Sequence, residues 1–210
     1  GAGKTTFINM VTGYIPPSAG QIFFRGRDIT GLSPRRVAKA GVCRSFQVSQ
    51  LFGELTAVDN VVLALGMAEG RLSWLRPLRT PQRYAAATEV LARFTIETYA
   101  QQVVDSLPQG VKKLLDIAMA VARTPDLLLL DEPTSGVAIE EKMGIMETIM
   151  TPIRASGAAC LFVEHDMEVV EKYADRVIVF FEGRVLADGP VEQVLADREV
   201  QRHVLGSSID

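Results

Sequence analysis

With 210 residues, 48% hydrophobic and 22% charged, the chain can bury a substantial core, which excludes intrinsic disorder and collagen-like structure. Twenty-two basic and 25 acidic side chains leave a net charge of −3, so no global positive field draws in nucleic acid. No apolar run approaches the roughly 20 residues of a membrane-spanning helix, and the four-leucine block Leu127–Leu130 stops at Asp131.

A first helix is predicted to follow Lys4, with Phe7, Met10 and Val11 on one side, ending at the turn cluster Pro16-Pro17-Ser18-Ala19-Gly20. Gln21–Phe24 reads as a strand, Pro34–Ala40 as a helix that holds its proline in the first turn, and Val42–Phe46 as a second strand. From Leu55 to about Gln102 the texture becomes helical, with Ala87, Val90, Leu91 and Phe94 at i, i+3, i+4 and i+7. Inside it, Arg71 to Arg83 carries four arginines and no acid, with Pro77 and Pro81 breaking any long helix. That stretch is a solvated loop or a docking surface for a partner or lipid head groups.

After Gly110 the strand–helix alternation returns. Leu114, Ala118 and Ala122 form a helical stripe, and Asp126–Asp131 reads as a buried strand. Ile139–Arg154 reads as a helix interrupted late by Pro152, and Ala159–Glu164 as another buried strand. Arg176–Phe181 and Arg184–Ala187 flank Gly183 as a hairpin, and a short helix starts at Val191. This order builds an α/β fold, a largely parallel sheet covered by helices. Cys43 and Cys160 make neither a disulfide framework nor a metal spacing, the pattern of a reducing, cytosolic compartment.

Two segments carry chemistry. Gly1-Ala2-Gly3-Lys4-Thr5-Thr6 is the end of G-x-x-x-x-G-K-[ST]. Its glycines let backbone N–H groups close on phosphate oxygens while the helix directs its positive end at them. Lys4 can reach the β- and γ-phosphates, and the Thr5 hydroxyl can ligate Mg²⁺. A glycine turn capping a helix would explain Gly1 and Gly3, but not Lys4-Thr5 in register. Because Gly3 holds the motif's sixth place, the chain is expected to be a fragment that binds ATP poorly in isolation. In Leu127-Leu128-Leu129-Leu130-Asp131-Glu132, four aliphatics deliver two acids to the C-terminal edge of a sheet, where α/β ligands bind. Asp131 would hold Mg²⁺ and Glu132 would polarise an attacking water; the plain alternative is a core strand ending in two solvated acids.

These motifs, with three others, resemble the nucleotide-binding ATPase subunit of ABC transporters. Gln47, in Arg44-Ser45-Phe46-Gln47, sits where that family has its Q-loop glutamine. Leu107-Pro108-Gln109-Gly110-Val111 occupies the signature position, and Glu164-His165-Asp166 matches the switch histidine. The likeness spans essentially the whole chain, lacking only the family's N-terminal strands and their adenine-stacking ring. Gly41–Gln47, Leu51-Phe52-Gly53-Glu54-Leu55-Thr56 and His203-Val204-Leu205-Gly206 look like the branched-chain amino acid uptake branch, and are similar also to urea uptake and lipopolysaccharide export ATPases.

The resemblance implies a P-loop fold of ABC type: an ATP-binding core in 1–54 and 107–190, a helical subdomain in 55–106, and a C-terminal helix and tail in 191–210. It implies ATP and Mg²⁺ as cofactors. Gly1, Ala2, Gly3, Lys4, Thr5, Thr6, Gln47, Asp131, His165, Leu107 and Gly110 would bind nucleotide. Thr5, Gln47 and Asp131 would serve the metal, and Glu132, His165 and Lys4 catalysis. Two such subunits would sandwich ATP head to tail, docked on permease subunits at the cytoplasmic face of the inner (plasma) membrane, with no nucleic acid as partner.

The chain departs from the family where Pro108 replaces the signature serine, Val111 its glutamine, and Ala138 the aspartate after the Asp131-Glu132 pair. All three concern what this chain offers its partner, so an asymmetric heterodimer is expected. The remaining alternatives are a soluble ABC protein of DNA repair or translation and a degenerate regulatory subunit that binds nucleotide without hydrolysing it.

Overall fold

The computed structural model describes residues 2–45, 51–68 and 78–203. Gly1, Phe46, Gln47, the Arg71–Pro77 part of the arginine-rich stretch and Val204-Leu205-Gly206 lie outside them. Along the first half the elements are α1 (Lys4–Val11), β1 (Phe23–Phe24), β2 (Arg27–Asp28), α2 (Pro34–Lys39), β3 (Val42–Ser45), α3 (Ala57–Ala68) and α4 (Pro81–Arg93). There follow α5 (Gln109–Val121), β4 (Leu127–Asp131), α6 (Ile139–Ser156), β5 (Ala159–Val163), α7 (Met167–Tyr173), β6 (Arg176–Phe181), β7 (Arg184–Pro190), α8 (Val191–Leu195) and α9 (Arg198–His203). They fall into two compact units, Gly1–Pro34 with Val163–Asp210, and Arg35–Phe162.

In the first unit α1 turns Ile8 fully inward. Phe7, Met10 and Val11, the expected apolar side, are only half-buried, and the Phe7 ring packs at 5.4 Å on Phe180 of β6. The expected strand Gln21–Phe24 shrinks to a two-residue ladder with β2, Phe23 opposite Asp28 and Phe24 opposite Arg27. The β6–β7 hairpin runs from Arg176↔Pro190 to Phe181↔Arg184, longer than its sequence suggests. Glu182 and Gly183 both take positive φ, 47° and 77°, as a two-residue type I′ turn requires. Val179, Val194 and Val200 close a small core against α8 and α9.

The second unit is built on a sheet with strand order β3-β4-β5. β3 and β4 are parallel, with Val42 opposite Leu127 and Ser45 opposite Leu130. Gly41 starts that register: its carbonyl accepts from the Asp126 and Leu127 amides at 2.8 and 3.0 Å. Its φ of +104°, and the Asp126 carboxylate 2.4 Å from where a Cβ would stand, leave room for glycine alone. Leu128, Leu129 and Leu130 are at most 1% exposed, and α5 beside them buries Leu114, Leu115, Ile117 and Ala118.

Two expectations are corrected. β5 is not a buried strand: Ala159 is exposed, Cys160 to Phe162 are half-buried and only Val163 is buried. The cause is position, since β5 ends the sheet's strand order among the described residues, whereas β4 is flanked on both sides. α6 also runs unbroken through Pro152 to Ser156. An interior proline costs about 3 kcal/mol, and the buried face of Met146, Ile149, Met150 and Ile153 offsets it.

Among the described residues of 55–102, α3 and α4 are the α-helices. Thr80 caps α4, its hydroxyl accepting from the Arg83 amide at 3.2 Å, and Pro81 takes the first helical position; it opens this helix rather than breaking one. Ala87, Leu91 and Phe94 are fully buried while Val90 is half-buried. Arg79 pairs with Asp59 of α3 at 3.3 Å and stacks over the Tyr84 ring.

Candidate functional site

In the first unit the phosphate motif sits where a loop becomes α1. Gly3 precedes the helix with φ 94° and ψ 1°, and no side chain caps that end. Only glycine adopts this backbone without strain, and it leaves the first amides of α1 open, the arrangement that binds anions. The Gly3 carbonyl accepts from the Phe7 amide at 2.9 Å. Lys4 is half-buried, Thr5 and Thr6 are exposed, and Ala2 is half-buried just ahead of them. In the same unit His165 is exposed between β5 and α7. The next residue, Asp166, caps α7 by accepting from the Glu168 amide at 3.1 Å, which fixes the chain direction on which His165 is carried.

The second unit holds the acids. In a parallel pair Arg44 lies opposite Leu129, and side chains two apart on a strand share a face. Arg44 and Asp131 therefore emerge on one face at the C-terminal edge. There Arg44 Nη2 donates to Asp131 Oδ2 at 2.8 Å, with the two side chains 9% and 4% exposed. Ser45 points to the other face and donates to Asp116 Oδ2 of α5 at 2.5 Å, inside the core. β3 is thus tied to the acid-bearing strand by one residue and to α5 by the next.

Glu132 follows β4 with φ 49°, a left-handed conformation costing a non-glycine residue about 1–3 kcal/mol. Lys113 of α5 braces it by donating to the Glu132 carbonyl and, at 3.4 Å, to that of Ser135. Leu107 is buried, whereas Gly110 is half-buried in the first turn of α5 with open space where a side chain would project. Pro108 is the N-cap of α5 and supplies no side-chain cap. Gln47 and Gly1 lie outside the described residues.

Four residues here escaped the motif reading: Arg44, Ser45, Lys113 and Asp116. Arg44 had a signal, because a charged residue in the strand run from Val42 to Phe46 must find a carboxylate if the strand is buried. Asp116 had one too, as the acid inside the run from Leu114 to Val121. No helix among the described residues is long and apolar enough to cross a membrane.

A glycine-opened helix and a central strand ending in paired acids define a P-loop nucleotide-binding domain of α/β class. Comparison with known proteins narrows this. The family model described as ABC transporter matches residues 1–135. The chain is 33% identical to the high-affinity branched-chain amino acid transport ATP-binding protein LivG of Escherichia coli K12, over 99% of this chain and 84% of that one. It is 31% identical to a probable LivG of Archaeoglobus fulgidus, over 99% and 82%. Among solved structures, the ADP conformation of MJ1267, an ATP-binding cassette of an ABC transporter, matches with TM-score 0.81 and 27% identity, covering 98% of this chain and 84% of that one. The chain belongs to the ABC transporter family, as an ATP-binding and ATP-hydrolysing subunit.

Proposed function

We propose that this subunit powers movement of branched-chain amino acids through membrane permease subunits, bound peripherally at the cytoplasmic face of the inner membrane. The near full-length likeness to LivG supports the cargo. The observation that carries the chemistry is the acid pair: Asp131 buried at the sheet edge and Glu132 half-buried beside it on a braced turn. In proteoliposomes of the assembled transporter, ATP should drive leucine uptake. Urea or lipopolysaccharide movement instead would overturn the cargo.

In this reading the open amides of α1 and the Lys4 ammonium bind the phosphate chain, and Glu132 accepts the proton of the attacking water. His165 contacts the terminal phosphate, and Gln47 links the site to the helical subdomain 55–106. The Thr5 hydroxyl and the Asp131 carboxylate are hard oxygen donors of the kind Mg²⁺ takes, alongside phosphate oxygens and waters. When bound, Mg²⁺ would neutralise charge on the phosphates. Lys4→Ala removes a charge-assisted donor worth about 1.5–3 kcal/mol, so nucleotide affinity should fall about 10- to 100-fold in equilibrium binding. The thermal transition should stay where it is.

We further propose a heterodimer in which this chain lends its own catalytic residues to one site and a weakened signature to the other. The support is Pro108, which stands at the N-cap of α5 without a hydroxyl, where serine would both cap the helix and face a phosphate. Pro108→Ser with Val111→Gln should raise ATPase turnover of the assembled complex. Unchanged turnover would argue for a symmetric pair.

A further inference from the structure

We infer that Arg44 is a positioning residue for the cation site: it grips Asp131 by one carboxylate oxygen and turns the other toward a divalent ion that arrives with the nucleotide. This rests on the reading of Asp131 as the metal-serving acid. The grip is the 2.8 Å contact from Nη2 to Oδ2. Both side chains are more than nine-tenths buried, so the bond is shielded from competing water.

Three features make it more than a stray ion pair. The β3–β4 register fixes both side chains on one face, so the contact follows from backbone pairing. The adjacent Ser45 is anchored on the opposite face by Asp116, which stops β3 from rotating and carrying Arg44 away. Among the described residues the Asp131 carboxylate has a hydrogen bond only at Oδ2, and Oδ1 stays available at the sheet edge where ligands of open α/β sheets bind.

Carboxylates that serve metals are commonly held by such an outer partner, and losing it typically costs 10–100-fold in metal affinity or activity.

The test compares affinity for a fluorescent ATP analogue in EDTA and in excess Mg²⁺, using the assembled transporter. Arg44→Met should shrink the Mg²⁺-dependent gain about 10- to 100-fold and leave the EDTA value unchanged. Arg44→Lys keeps the charge and one donor, so it should recover part of the gain; it also decides the matter if the methionine variant does not fold. An unaltered gain, or equal loss in both conditions, overturns the inference. Asp131→Asn separates the two layers. If that variant keeps the full gain, the assignment of Asp131 fails; if it loses the gain while both arginine variants keep it, only the role of Arg44 fails.

Discussion

Replacing Glu132 by glutamine should depress ATP hydrolysis at the site this chain supplies by about 10²–10⁴-fold, the range of a general base, while nucleotide still binds. The amide has the carboxylate's shape but cannot take a proton from water. Its backbone environment should survive, because Lys113 donates to the Glu132 carbonyl, which the substitution leaves in place. The φ of 49° is set by the turn into the buried Pro133 and Thr134, not by the charge. Single-turnover hydrolysis with retained binding of labelled ATP is the measurement that matters. Hydrolysis that persists in Glu132→Gln would mean that the partner subunit does all the chemistry, and this chain would then be the regulatory member of the pair.

Glu132 also shows what the sequence makes legible. Its identity and its place after four aliphatics can be read directly, since a buried parallel strand needs a continuous apolar run and its end needs something that tolerates water. The brace cannot be read, because Lys113 lies on another element and becomes a neighbour only through the packing of α5 on the sheet. The same division recurs at Arg44 and Asp131, far apart in the chain and joined by register. Local devices were legible in part: Gly183 marks the turn of the β6–β7 hairpin, whereas Pro81, which reads as a breaker, opens α4 behind the Thr80 cap.

Where sequence reasoning went astray, tertiary position outweighed local preference. Pro152 suggests a break, yet the buried face of α6 carries the helix across it. Ala159–Val163 has the composition of a buried strand but, among the described residues, sits at the end of the strand order, and composition does not encode a strand's rank in its sheet. On α1 the choice between Ile8 and the Phe7–Met10–Val11 side needed the position of Phe180, which the ring contact with Phe7 supplies.

Leu129→Ala should cost about 2–5 kcal/mol of stability. Leu129 is 1% exposed in the strand between β3 and β5, and backbone pairing on both sides prevents the strand from collapsing into the cavity. Against a total of about 5–15 kcal/mol, such a loss moves the urea midpoint markedly while the slope, which reports exposed area, holds. Leu127→Ala is the matched control, on the same strand and face but only half-buried, and should cost far less. Position 129 also lies opposite Arg44 and two residues before Asp131, so the cavity would open beneath the ion pair. Leu129→Ala should therefore weaken the Mg²⁺-dependent part of nucleotide binding as well as the fold, and Leu127→Ala should spare both. Equal costs at the two positions would contradict the burial gradient along β4 on which the placement of the acids depends.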